Sequence, residues 1–322
     1  RLLAWWDRNG RQDLPWQHPR TAYRVWISEI MLQQTQVATV IPYFKRWMKA
    51  FPDVETLARA SQDEVLAHWA GLGYYARARN LHRAAQMCQA HFNGELPLDT
   101  DELVRLPGIG RSTANAIASQ AADRPAAVLD GNVRRLLARH AAVAGHTASA
   151  AVQKRLWAEA EQRLPPARGA DYTQGVMDLG ALVCTRSRPA CEQCPVAGDC
   201  KARRQGRVDE LPSPKPATRV SDRHICMLIL ADERGRILLE KRPPTGIWGG
   251  LWCLPEGRDA GSIGNRLGVS VNGAAALPLF EHRLSHLRLK IEPILAAAGP
   301  ARQVQCSSER NWFDRPELAK LG

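Results

Sequence analysis

The sequence predicts a mainly α-helical N-terminal domain joined to a smaller α+β domain, and three observations lead there. Over residues 1 to about 200, apolar side chains recur with helical spacing, as in Tyr23, Trp26, Ile27, Ile30 and Met31, which form one i, i+3, i+4, i+7, i+8 stripe. "DELPSPKPATRV" then sets Pro212, Pro214 and Pro216 close together, the composition of a linker. Beyond it, "HICMLILA", "DERGR" and "ILLEKR" read as strand, turn and strand, and "LRLKIEPILAA" as a further strand. The expected division is a helical domain over 1–207, a linker over 208–222 and an α+β domain over 223–322.

The elements follow in order. Val133, Leu136 and Leu137 make a buried stripe after Gly131, and "AVQKRLWAEAEQRL" is an amphipathic helix stopped by Pro165 and Pro166. A chain of 322 residues is long enough for two cores. Its net charge of +12 points to a polyanionic partner, nucleic acid being the usual one. The first 210 residues hold 28 of the 44 basic side chains and 21 of the 32 acidic ones, so both parts are basic. No apolar run approaches the roughly 20 residues that span a bilayer, and no signal peptide is visible. A monomer in the cytoplasm, with no membrane partner, is expected.

Cys184, Cys191, Cys194 and Cys200 fall within "CTRSRPACEQCPVAGDC", spaced C-x6-C-x2-C-x5-C. Four thiolates on one short loop suit a single metal centre, and generic chemistry leaves zinc and a [4Fe-4S] cluster both open. Cys88, Cys226, Cys253 and Cys306 are scattered and are expected in cores. In "LPGIGRSTANAIAS", Gly108 and Gly110 allow a tight turn and a close approach of backbone to a ligand, and the helix N-terminus beyond them offers N–H donors to a phosphate. About twenty residues later, Asp130 in "VLDGNVRRLLAR" reads as the N-cap of a helix starting near Asn132.

Taken together, "LPWQ", "VWISEIMLQQTQVATVIPYF", "GLGYYARARNLHRAA", "LPGIGRSTA", "LDGNVRR", "MDLGALVCTRS" and the cysteine loop closely resemble the MutY family of adenine-DNA glycosylases, in the helix-hairpin-helix superfamily of endonuclease III. The resemblance covers nearly the whole chain. It implies a helix-hairpin-helix glycosylase domain whose cysteine loop holds a [4Fe-4S] cluster, acting on bacterial chromosomal DNA that carries 8-oxoguanine:adenine or guanine:adenine mispairs. By the same resemblance Glu29 is the general acid that protonates adenine, while Asp130 stays ionised to stabilise the sugar cation and Asn132 positions sugar or water. Gln34 and Tyr74 would wedge into the duplex, Thr35 would lie beside 8-oxoguanine, and Gln174 would hydrogen-bond the extruded adenine. Ser112 stands where endonuclease III-like enzymes carry a lysine that attacks the sugar, so a glycosylase without strand cleavage is implied.

"RPPTGIWGGLWCLPEG" resembles the Nudix fold of 8-oxo-dGTP hydrolases. Those enzymes hold magnesium on a carboxylate-rich helix, whereas here Ile263 follows Gly257 at the first glutamate position and "NRLGVSV" lacks the glutamate pair. The implied role is a reader of 8-oxoguanine, with Ser285 and His286 of "LSH" as contacts. Two other readings stand beside this one: an endonuclease III-like glycosylase with lyase activity on oxidised pyrimidines, and a noncatalytic iron-sulfur DNA sensor.

Overall fold

The computed structural model describes residues 1–214, 220–271, 273–284, 287–297, 304 and 306–321. They form two compact units, residues 1–60 with 77–215, and residues 61–76 with 216–322. In chain order the helices up to the cysteine loop are α1 (Leu2–Asn9), α2 (Ala22–Leu32), α3 (Val37–Ala50), α4 (Val54–Arg59), α5 (Gln62–Trp69) and α6 (Ala76–His91). They continue with α7 (Thr100–Arg105), α8 (Arg111–Ala122), α9 (Gly131–His140), α10 (Ala150–Glu161), α11 (Gly169–Asp178) and α12 (Lys201–Arg204).

The boundaries of the first unit are set by side chains that take up the open N–H groups of each first turn. Thr21 caps α2, Asp53 caps α4, Asp99 caps α7, Asp130 caps α9 and Ser149 caps α10. The expected stripe on α2 is buried throughout, and Trp26, Phe44 and Trp47 are fully enclosed. This stripe packs α2 against α8, while α8 also meets α11. Glu29 of α2 and Gln120 of α8 are thereby brought together. α11 runs on into a π-helical turn, Leu179–Val183, that delivers Cys184. Gly180 is needed in that turn, because a Cβ there would lie 2.8 Å from the Cβ of Asn132.

Among the described residues the second unit has an eight-stranded sheet; it includes α5, whose Asp63 accepts from Lys241 Nζ at 2.6 Å and from Trp252 Nε1 at 3.2 Å. β1 (Ser221–Ala231) lies between β2 (Ile237–Lys241), antiparallel, and β7 (Leu287–Ala297), parallel over its full length. The remaining strands are β3 (Trp252–Cys253), β4 (Glu256–Gly257), β5 (Ala275–Ala276), β6 (Phe280–Arg283) and β8 (Arg310–Phe313). Both faces of β1 are covered, which is why "HICMLILA" reads as a continuous apolar run. Cys226, Leu228 and Leu230 pack with Ile263 and Leu267 of α13 (Ala260–Leu267), and Ile225 and Met227 pack with Leu289 and Ile291 on the other side. α14 (Arg315–Leu318) closes the described chain.

Ile263 is 1% exposed, so the side chain at the first carboxylate position of a Nudix box is committed to the core. Gly257 is small for the same reason: a Cβ would meet Ile263 at 2.6 Å. Cys88 and Cys226 are buried as expected, whereas Cys253 is half-buried and Cys306 is exposed. The extra cysteines therefore do not all behave as core residues; Cys306 falls beside the turn that pairs Ser307 with Arg310, where apolar cover is missing.

Candidate active site

Glu29, Gln34, Thr35, Ser112, Asp130, Asn132 and Gln174 all line one open cleft of about 1040 Å³ in the first unit. They come from α2 and the loop after it, from α8, from the start of α9 and from α11. Glu29 sits on the face of α2 that meets α8, and Gln120 Nε2 donates to its Oε1 at 3.3 Å. Burial, and next the negative charge of Asp130, push the Glu29 carboxyl up to about 7, with the Gln120 hydrogen bond pulling the other way.

Asp130 is both cap and cleft residue. Its Oδ1 accepts from Val133 N at 2.7 Å, and Asn132 Nδ2 approaches Oδ2 at 3.4 Å. Burial raises this carboxyl too, against backbone donors at Val133 and Asn132 and the charges of Arg135 and Arg134. The expected contrast, an acidic Glu29 beside an ionised Asp130, does not show as opposite shifts: burial raises both carboxyls. Both are desolvated, and Asp130 has the donors, the two arginines and the positive end of α9 on its side. Asp130 carries the charge that raises Glu29.

Asn132 is placed by Arg135, whose Nη2 donates to Asn132 Oδ1 at 2.9 Å and to Gly180 O at 2.7 Å, while Nε donates to Cys184 O at 2.8 Å. Gln174 is placed by Asp178, a fully buried carboxylate. Asp178 Oδ1 accepts from Gln174 Nε2 at 2.8 Å and from Arg11 Nη2 at 2.6 Å; Oδ2 accepts from Arg11 N at 2.8 Å and Trp6 Nε1 at 3.1 Å. That bond uses one of the two Nε2 hydrogens of Gln174 and leaves its carbonyl oxygen as an acceptor in a residue that lines the cleft. Ser112 Oγ accepts from Leu129 N at 3.0 Å, so the hydroxyl anchors the backbone immediately before Asp130.

The hairpin between α7 and α8 leaves Gly108 and Gly110 exposed, with Ile109 between them plugged into the core. Gly108 has φ +80° and would bring a Cβ within 2.9 Å of Asn80 Cβ, so both conformation and space demand glycine. Gly110 caps α8 without a side-chain acceptor, leaving the first-turn N–H groups for a ligand.

Gln34 and Tyr74 adopt left-handed backbone conformations, φ 58° and 49°. Such conformations cost energy in non-glycine residues and cluster at functional tips. Tyr74 is 50% exposed, so it is not a core aromatic. The loop bearing Gln34 and Thr35 is held by Arg77, a buried arginine that sequence reasoning missed. Its Nη1 donates to the carbonyls of Ile30, Met31 and Gln33, and its Nη2 to Thr35 Oγ1 at 3.3 Å. Replacing Arg77 with methionine is expected to lower stability by about 2–4 kcal/mol, because it orphans buried helix-end carbonyls, and to weaken duplex binding. Urea unfolding and a DNA titration check this; a loss below about 0.5 kcal/mol contradicts the capping role. Ser285 and His286 lie outside the described residues.

Cys184, Cys191, Cys194 and Cys200 line a separate cavity with Leu136, Arg139, Val183 and Val196. Among the described residues no three histidine, cysteine or acidic side chains converge closely enough for a single ion. Arg139 Nη1 donates to Cys184 Sγ at 3.4 Å and to Thr185 O at 2.7 Å, joining the loop to α9. Burial raises the Cys191 and Cys194 thiols, so a metal bound there would have to stabilise the thiolate form.

Fold and site define a base-excision DNA repair protein. Residues 27–162 match the HhH-GPD superfamily base excision DNA repair protein family, 184–200 the iron-sulfur binding domain of endonuclease III, and 226–322 a NUDIX domain. The cysteine loop accordingly binds a [4Fe-4S] cluster, which the four sulfurs would hold, tying residues 184–200 together. An adenine DNA glycosylase from Buchnera aphidicola subsp. Baizongia pistaciae (strain Bp) is 37% identical over 316 residues, 97% of this chain and 90% of the relative. The adenine DNA glycosylase of Homo sapiens is 39% identical over 79% of this chain and 56% of its own length. A thermostable thymine-DNA glycosylase structure superposes with a TM-score of 0.57 at 26% identity, covering 63% of this chain and 94% of that one. The chain belongs to the adenine DNA glycosylase family.

Proposed function

We propose that this protein excises adenine paired with 8-oxoguanine or guanine in duplex DNA, as a monomer in the bacterial cytoplasm, and leaves the strand uncut. The observation that carries the reading is the pairing of Glu29 with Asp130 in one cleft, Glu29 at about 7 and its neighbour bearing the charge. Adenine departs from the sugar as a neutral base only if a ring nitrogen is protonated. Glu29 supplies that proton, the C1′–N9 bond breaks with its electrons going to the base, and positive charge develops on the sugar. Asp130 stabilises that charge, and water adds at C1′ and loses a proton. Flipping the adenine out costs a few kcal/mol in stacking and pairing, which Gln34 and Tyr74 offset by filling the gap.

The carbonyl oxygen of Gln174 suits a base edge that presents an amine, as adenine does. Ser112 supports the absence of strand cleavage: a hydroxyl engaged by Leu129 N has no amine with which to form a Schiff base. The division of labour we propose is base removal by the helical part up to residue 207, a linker over 208–222, and reading of the opposite base over 223–322. Duplexes containing 8-oxoguanine:adenine are the direct test, scored for free adenine and for strand breaks before and after alkali. Absence of adenine release sinks the reading, and breaks without alkali favour a lyase. His286→Ala is expected to leave excision opposite guanine intact and to narrow the preference for 8-oxoguanine; an unchanged ratio assigns that loop another task.

A further inference from the structure

We propose that Gln120 is a positioning residue for Glu29, engaging one carboxyl oxygen so that the acidic proton is carried on the other. The proposal rests on the assignment of Glu29 as the acid. Gln120 lies on α8 and is 4% exposed. It follows Ala116, Ile117, Ala118 and Ser119, all buried, so its surroundings are those of a core helix. Its Nε2 donates to Glu29 Oε1 at 3.3 Å, whereas its own Oε1 is buried with no hydrogen-bond partner among the described residues. An unpaired buried acceptor costs stability. A leucine or methionine of similar size avoids that cost, so the group this position uses is the amide N–H.

A carboxylic acid has one O–H. With Oε1 occupied as an acceptor, the proton resides on Oε2, and a single N–H thereby selects the oxygen from which the proton is delivered. The same N–H binds more strongly once the proton has left, because a charged acceptor shortens and strengthens the bond. Gln120 therefore favours the ionised product of the transfer and holds the carboxyl in place through it. The other groups facing Glu29 are Asp130 at the start of α9, with Arg134 and Arg135 behind it; Arg11 on the cleft wall is paired with the fully buried Asp178. On α2 itself, Arg24 is turned away to the Pro15 carbonyl and the Phe44 ring. Among these, Gln120 is the neutral donor to Glu29.

The test is the single-turnover rate of adenine excision from an 8-oxoguanine:adenine duplex, between about pH 5.5 and 9.5, for Gln120→Met and Gln120→Leu. Loss of a donor that favours the ionised carboxyl moves the basic limb to higher pH, and loss of orientation lowers the plateau on the order of 10-fold. Affinity for the uncleaved duplex stays within about twofold, and the thermal midpoint does not fall, since an unpaired acceptor has gone. Two variants of different shape guard against a packing defect in either one. A basic limb that does not move, or moves down, in both variants overturns the proposal. Glu29→Gln is measured in parallel. A normal rate in that variant removes Glu29 from acid duty, whereas an inactive Glu29→Gln beside unshifted Gln120 variants overturns the role of Gln120 alone.

Discussion

Glu29→Gln slows single-turnover excision by ~100-fold or more, the usual scale for a lost general acid, and at the same time makes the protein more stable in mild alkali. The second effect follows from linkage. The carboxyl ionises near 4.5 when exposed and at about 7 in the cleft, so the native state holds the extra proton between those values and loses stability as pH rises through them. Full ionisation of the buried group corresponds to about 3 kcal/mol. Glutamine is neutral at every pH and escapes that penalty. The variant's thermal midpoint is therefore expected to exceed the parent's by about 3–6 °C at pH 8, with the advantage fading as pH falls below 7 and gone near pH 4.5. A gain equal at both ends of that range traces to packing and removes the electrostatic account, while a rate within about threefold of the parent removes the acid.

The second large effect is on Asp178, which is fully buried and does not line the cleft. Asp178→Ala is expected to lower stability by about 3 kcal/mol, since it strands Trp6 Nε1 and Gln174 Nε2 in the interior and removes the partner of the partly exposed Arg11 guanidinium. It also frees the Gln174 amide to turn its N–H₂ toward the cleft, where it would oppose the amine of adenine. Loss of stability and weakened binding of an adenine-containing duplex should appear together. Unfolding in urea at one pH, beside duplex affinity, checks both. If stability changes by less than about 1 kcal/mol, Arg11 reaches water when its partner goes and the buried pair is not an anchor.

The buried stripes, the sheet strands and the cysteine loop were legible because each repeats a local rule: helical spacing on α2, an apolar run bounded by turns at β1 and β7, four sulfurs within seventeen residues. The roles expected of Glu29 and Asp130 rest on whole motifs, since a carboxylate on a helix or at a cap is ordinarily structural. What could not be read were side chains that act across long stretches of chain. Arg77, in "YYARARN", looks like a surface charge, yet it closes over carbonyls more than forty residues earlier. Gln120 ends an alanine-rich helix and meets a residue 91 positions away. Ser112 was read by the lysine it is not; its bond to Leu129 became apparent only once the backbone before Asp130 was in place. The segment 61–76 carries no signal that it groups with the C-terminal residues, because its link is an ordinary-looking Asp63.

Asp130 holds the first turn of α9 with one oxygen and faces the cleft with the rest of its carboxyl group. Asparagine serves the cap nearly as well as aspartate, so scaffold and reactivity at this position are separable by one atom. Asp130→Asn should keep its shape and its grip on a duplex while losing the charge that the sugar cation requires. Such a protein would arrest on its substrate with the base extruded, a still frame of a step that the parent completes and leaves.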